Sequence, residues 1–544
     1  MKLNINDLGP KVKGNSVTFR LWLRDVEPDA RVLAIGSFCN WKPEDSIALH
    51  FDSESGIWKG EVKDLPYGVY EYGFMVKTGS WYSNISSDPF AKMTGKDGKS
   101  AFCVPVEKPA RLDSFEMPPL EDLILYNLEL DNFNYNFEGV KNRVLYYLSQ
   151  LGVNGVIFSS WIGYDHSLCG EKIPLHFLAP DSRYGTPYDL KVMINECHKA
   201  GIAVIMDIDL HAVSPEFGYN TMYSVFQTKP MLGRLDDAAK KIYLNYSDEY
   251  TREFVFSICR WWLEEYSVDG FRFLNVDEYW DKAEGEGFAR LVSRLYEFRK
   301  KDGELIYLFA NDCGNLDSQV INRSYANGIT NRHFIRFIHR MAENRTLNQE
   351  FWRSMDPNQL HYLTEKTLDK NVLSNVTLNA IEDDKSHSLV VKMGVVSGQR
   401  DRLGYPVGDR KNHWWKVKPY IIAQFTASGV PVIYNGQEIG HGRFLPDGGP
   451  DRFAARPIGW DYLADFAGKD LYRFHQKLVH IRNTFKSIRS KNFLHYFTDE
   501  NSQVVVFKRY LDDETTVVAI NFSNESSRVL IPFPSNGISV SYTH

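Results

Sequence analysis

The stretch that decides the fold runs from Thr186 to His211 and reads TPYDLKVMINECHKAGIAVIMDIDLH. Its first half carries the marks of a helix start. Thr186 suits the N-cap, Pro187 the first turn, and Asp189 stands three residues after the cap, where its carboxylate can close a capping box. The second half, GIAVIMDID, is an apolar strand run. The same alternation recurs over residues 119–488. LILYNLEL precedes FEGVKNRVLYYLSQL, GVNGVIFSS precedes the capped helix across a long loop, and EYTREFVFSICRWWLEEY leads into VDGFRFL. Further strand runs stand at LIYLFAN, NVTLNAI and GVPVIYNG. Repeated strand-helix units of this length predict a parallel sheet, and about eight of them predict a (β/α)8 TIM barrel.

The flanks have a different texture. Residues 1–106 hold the short runs VTFRLWL, RVLAIGSF, GIWKGEV, VYEYGFMV and SAFCVPV, divided by Gly, Pro and Asp, at the spacing of an immunoglobulin-like β sandwich. Residues 107–118 read as a linker, and 489–544 return to β texture as a small C-terminal domain. The chain is thus expected to be a multidomain α/β protein. Its 544 residues are 43% hydrophobic and 24% charged, which fills a large core and leaves no case for disorder. With 63 Lys and Arg against 69 Asp and Glu, the net charge of -6 argues against a nucleic-acid partner. The six cysteines form no CxxC pair, so neither a metal cluster nor a disulfide framework is expected. The first residues lack the apolar run of a signal peptide and no long uncharged apolar window occurs, which predicts a cytoplasmic protein with no membrane partner. Aromatic residues make up 14% of the chain, and aromatic rings stack on the apolar faces of sugars as well as building cores.

Four segments within the barrel reading carry a resemblance: FLAPDSRYGTPYDL (177–190), HKAGIAVIMDIDLH (198–211), VDGFRF (268–273) and GVPVIYNGQEIG (429–440). Together they resemble glycoside hydrolase family 13, the α-amylase clan, and most of all its branching-enzyme, isoamylase and trehalohydrolase members. GSFCNW (36–41), YGVYEYGFMV (67–76) and SDPF (87–90) resemble carbohydrate-binding module family 48, which precedes the barrel in those enzymes. The resemblance implies starch or glycogen as the substrate class. It also implies a retaining mechanism, which needs a carboxylate nucleophile and a protonated carboxyl about 5 to 5.5 Å apart, with a third carboxylate that stabilises the transition state.

Set against the family motifs, these positions are degenerate. The nucleophile should stand two residues after the Arg of G-F-R-F-D, and here that residue is Leu274. The acid/base Glu at the end of the fifth strand is replaced by Asn311, whose amide cannot serve as a tunable acid. The third carboxylate falls on Lys385 in one register and on Asp384 in the other, and the motif histidine is absent in both. In the first motif Asp207 persists, His211 replaces an Asn that often ligates a structural calcium, and Ala212 replaces a sugar-binding His. No cofactor is therefore expected, and the family calcium site is doubtful. The resemblance places Tyr164 and Asp165 in a segment that lines the glucose-binding cleft; Asp207, His211 and Arg272 are further candidates for sugar contact, against the alternatives that Arg272 pairs with Asp207 and that His211 is a satisfied buried imidazole. Trp41, Trp58 and Trp81 are candidates for a stacking platform in the first domain, with Trp41 expected to be the most exposed.

The leading expectation is a non-catalytic relative of starch- and glycogen-active enzymes, a scaffold or regulator that binds α-glucan or maltooligosaccharide. A related active enzyme is a further candidate partner. Two alternatives remain open. One is an active α-glucan hydrolase or branching enzyme whose carboxylates have relocated to Asp209, Asp312 and Asp384; the other is a protein-interaction platform without sugar binding.

Overall fold

The computed structural model of the protein describes residues 5–26, 29–105, 113–133, 135–159, 161–165, 168, 172–280, 287–300, 305–356, 376–394, 413–446 and 454–531. The N-terminal region holds eight strands: β1 (Lys11–Lys13), β2 (Ser16–Leu21), β3 (Arg31–Gly36), β4 (Ile47–Asp52), β5 (Ile57–Val62), β6 (Gly68–Thr78), β7 (Trp81–Tyr82) and β8 (Ala101–Val104). They pair antiparallel in the order β1-β2-β5-β4-β3-β6-β7, with β8 also on β6, in a sandwich-like arrangement. Its core is aromatic: the Phe19 ring lies 5.1 Å from Tyr72, 5.7 Å from Phe102 and 6.2 Å from Phe74. β4 was absent from the sequence reading, and burial explains why, since of its six residues only Leu49 is buried.

The chain continues through β9 (Leu125–Glu129), β10 (Gly155–Ser159), the hairpin β11 (Ile162–Tyr164) and β12 (Pro174–Pro180), and β13 (Ala203–Asp209). A small sheet of β14 (Ala212–Val213), β15 (Leu232–Asp236) and β16 (Lys241–Leu244) follows. Then come β17 (Gly270–Leu274), β18 (Tyr307–Ala310), β19 (Gly328–Thr330), β20 (Val376–Ala380) and β21 (Val430–Tyr434). Eight of these close a parallel barrel in the order β9-β10-β13-β17-β18-β19-β20-β21. Every barrel strand except β19 lies within a run that the sequence marks as a strand. β19 has only three residues, GIT, too few to show an apolar period. The helix over 187–199 is capped as expected: the Asp189 amide donates to Thr186 Oγ1 (3.2 Å) and the Thr186 amide to Asp189 Oδ2 (2.9 Å). The run 137–151 departs from a plain helix, because a π-helical segment, Val140–Val144, interrupts it.

Strand parity positions the site. Residues two apart on a strand share a face. The lower interior of the barrel is an apolar layer that includes Leu125, Ile157, Ile205, Phe309, Leu378 and Val432. Two or four residues further along the same faces stand Glu129, Ser159, Asp207, Asp209 and Asn311, so the polar groups gather at the C-terminal mouth. Two glycines leave room for β18, one for its backbone and one for a ring. A Cβ on Gly270 would lie 2.1 Å from the Tyr307 carbonyl oxygen, and one on Gly328 would lie 2.5 Å from the Phe309 ring.

The first domain is docked firmly on the barrel. The Tyr219 hydroxyl donates to the Trp22 carbonyl (2.6 Å), the Arg24 guanidinium lies 3.0 Å from the centre of the Tyr250 ring, and Phe90 packs edge-on against Phe254 (5.8 Å). At the other end β22 (Phe493–Asp499), β23 (Val504–Leu511) and β24 (Glu514–Asn521) form an antiparallel sheet. The buried Arg509 of β23 ties that sheet to the barrel by donating to the Thr426 carbonyl (2.6 Å). Among the described residues no helix is long and apolar enough to cross a membrane.

Candidate functional site

A cleft of about 350 Å³ opens at the C-terminal mouth of the barrel, where ligands bind in this architecture. Asp207 and Arg272 form its floor. The two residues are paired in register across β13 and β17, and both are inward-facing. Arg272 Nε donates to Asp207 Oδ1 (2.6 Å) and Nη2 to Oδ2 (2.7 Å), a bidentate fork, while the Ser159 hydroxyl also binds Asp207. Burial opposes the Arg272 charge, but the Asp207 carboxylate outweighs it and holds the guanidinium protonated.

Leu274 occupies the cleft two residues beyond Arg272, where a nucleophile would stand. Its register partner on β13 is Asp209, a carboxylate one strand away. Both oxygens of Asp209 are engaged. Asn275 Nδ2 donates to Oδ2 (2.7 Å), while Oδ1 faces His211 Nδ1 and accepts the His211 amide (3.1 Å). Lys241, at the start of β16, approaches His211 Nε2 at 3.1 Å. An ammonium only donates, so Nε2 is the accepting nitrogen and the ring proton sits on Nδ1 toward Asp209. His211 is therefore a buried, satisfied imidazole. The same chain of contacts answers the question of calcium: Lys241 places an ammonium on the residue that replaces a calcium ligand, and these groups do not fit a hard cation. Among the described residues no group of three or more His, Cys, Asp and Glu is arranged to hold a metal.

Asn311 and Asp312, which follow β18 next to β17, also line the cleft. Asn311 Nδ2 donates to Asp312 Oδ2 (3.1 Å), and Lys385 reaches the same oxygen from the loop after β20 at 2.8 Å. Burial works against the Lys385 charge, but Asp312 holds its ammonium above the usual lysine range. The structure brings both Asp384 and Lys385 to the cleft, so the two registers of that motif remain open. Solvent reaches one side of Asp384. The neighbouring protein desolvates it in part, and this together with the charges of Glu129 and Asp383 holds its carboxyl above the ordinary range.

Tyr164 joins this cleft, and its burial near Asp209 and Asp207 pushes its phenol far up. Asp165 does not join it. Its carboxylate accepts from the Ser214 hydroxyl instead. The cleft also gathers residues that sequence reasoning missed: Glu129, Asn132, Lys172, Lys241, Asn275 and Arg443. Glu129 was readable in principle, since it has the parity of Leu125 at the end of β9. Lys241 and Arg443 come from outside the barrel strands, and no motif marks them.

The aromatic platform is also rearranged. Trp81 on the edge strand β7 is 73% exposed and its neighbour Tyr82 53%, whereas Trp41 is only half-exposed, with the Lys99 ammonium 5.0 Å from its ring centre. Trp81, and not Trp41, is the open ring, because Trp41 is folded into a left-handed turn (φ 59°) beside Lys99. Trp58 is buried in the core.

Two family profiles match. Residues 7–91 match carbohydrate-binding module 48 (isoamylase N-terminal domain), and residues 235–446 match the α-amylase catalytic domain. Among curated proteins, the 1,4-α-glucan branching enzyme of Picrophilus torridus is 22% identical, over 94% of this chain and 72% of that one. A cyclomaltodextrinase from a Bacillus species is 22% identical, over 87% of this chain and 85% of that one. The crystal structure of a mutant pullulanase from Paenibacillus barengoltzii, complexed with maltotriose, superposes with a TM-score of 0.71 at 16% identity, covering 95% of this chain and 89% of that one. The barrel is thus similar to the α-amylase catalytic domain over residues 235–446, and the module before it to carbohydrate-binding module 48.

Proposed function

We propose that the protein binds α-glucan in the barrel cleft and on the Trp81 surface without cleaving it, and acts as a scaffold or regulator of glucan metabolism. The observation that carries this reading is the pair Leu274 and Asn311 at the cleft positions where a retaining glycosidase needs its nucleophile and its acid. Three cleft carboxylates support it. Asp207, Asp209 and Asp312 are engaged by Arg272, by Asn275 with His211, and by Lys385 with Asn311, so each is already bound to other side chains of the protein. The named relatives are a 1,4-α-glucan branching enzyme, a cyclomaltodextrinase and a pullulanase complexed with maltotriose, which makes maltooligosaccharide the ligand to try first. Incubation with glycogen and amylose is expected to leave both reducing ends and branch content unchanged, while maltoheptaose binds in calorimetry.

A second reading is supported by one specific feature. Asp209 lies in register with Leu274, and Asp384 keeps a carboxyl held toward protonation, so relocated carboxylates would have a place to act. Turnover that disappears in Asp312→Asn or Asp209→Asn would establish that reading and remove the first.

A further inference from the structure

Arg443 enters the cleft from the chain after β21, and its side chain is buried. We propose that Arg443 is a positioning residue for bound glucan, acting through the loop 383–388 that presents Asp384 and Lys385. The proposal rests on the glucan-binding reading above. That loop follows the end of β20 at Ala380, and Arg443 joins it to the barrel wall. Nη1 donates to the Tyr434 hydroxyl (3.1 Å), which in turn donates to Glu129 Oε1 (2.6 Å). Nη2 donates to the Ser386 carbonyl (3.1 Å) and to the Asp383 carbonyl.

The backbone repeats the connection. The Arg443 amide donates to Ser388 Oγ (2.9 Å), the Ser388 amide to the Arg443 carbonyl (3.0 Å) and the Leu445 amide to His387 Nδ1 (2.9 Å). A planar guanidinium offers five donors in a fixed fork, so one side chain can hold a strand-end hydroxyl and two loop carbonyls together. A lysine ammonium is a single point and cannot span the three. Burial opposes the Arg443 charge, yet Tyr434, Glu382, Glu129 and Asp383 around it keep the guanidinium protonated. The height of Asp384 and Lys385 in the cleft is set from this side.

The test compares maltoheptaose binding to the full chain and to Arg443→Met and Arg443→Lys, with each also made in an Asp384→Asn/Lys385→Met background. Arg443→Met is expected to weaken binding roughly tenfold, equivalent to ~1.4 kcal/mol, and Arg443→Lys less. In the double-variant background Arg443→Met should add little, because the residues it acts through are gone. Undiminished binding by Arg443→Met overturns the proposal, as does an equal loss in both backgrounds. If Arg443→Met does not fold, the Arg443→Lys pair decides by the same comparison. A wild type that binds no maltoheptaose overturns the glucan reading alone. The clamp is then decided by hydrogen exchange: the Ser388 and Leu445 amides exchange faster in the variant if it holds the loop, and as in the wild type if it does not.

Discussion

At the scale of single residues, Leu274 and Asn311 line the cleft beside an intact ion pair. Asp207 and Arg272 keep the bidentate pair that holds β13 to β17, and their side chains are 4% and 12% exposed. Asp207→Asn leaves the guanidinium buried without its counter-charge, and is expected to cost about 3–5 kcal/mol in denaturant unfolding. A loss below about 1 kcal/mol would show that water already screens the pair. Leu274 sits beside that pair as an apolar side chain among charges. Its identity was legible in the sequence, because a two-residue spacing on a strand fixes the face on which it appears. Asp165 shows the opposite case: it lies just past the end of the short strand β11, where no strand spacing fixes its face, and its carboxylate accepts from Ser214.

At the scale of elements, the 3₁₀ turn Gln437–Ile439 closes the barrel after β21 with a buried carboxyl. Burial pushes Glu438 up to about 7 from its ordinary value of 4.5, against the partly opposing hydrogen bonds from Tyr147 and Tyr126. Between those two values the folded protein binds a proton that the unfolded chain has released. The contribution is therefore greatest below about pH 4.5 and falls as pH rises toward 7, by about 3 kcal/mol in all. Glu438→Gln keeps the shape and removes the titration. The difference in unfolding free energy between pH 5 and pH 8 is expected to shrink in this variant, and an unchanged difference would contradict the assignment. Most barrel strands were legible because each is an apolar run followed by polar mouth residues. β19 and the π-helical segment 140–144 were not, since three residues are too few for a period and a π turn leaves no mark in hydropathy.

The whole molecule is held together by contacts that composition cannot announce. Gly218, at the start of a short helix on the barrel side, lies so close to the first domain that a Cβ would be 2.0 Å from the Ser87 carbonyl oxygen. Gly218→Ala is expected to cost about 1–3 kcal/mol and to loosen the first domain. Proteolysis between the domains would report the loosening, and an unchanged pattern with unchanged melting would contradict the close docking. The aromatic excess is resolved at this scale too. Rings such as Phe19, Phe74, Phe90 and Trp262 are buried as core, while Trp81 and Tyr82 remain open on the first domain. If that surface takes sugar, Trp81→Ala should weaken glycogen binding several-fold with no change in the unfolding midpoint. Equal binding by the variant would leave the cleft as the site. The most direct measurement for the molecule as a whole is incubation of the pure protein with glycogen and amylose, with maltoheptaose titrated in parallel and reducing ends and branch content followed. The account predicts bound oligosaccharide and no change in either polymer. Turnover that Asp312→Asn abolishes would contradict it.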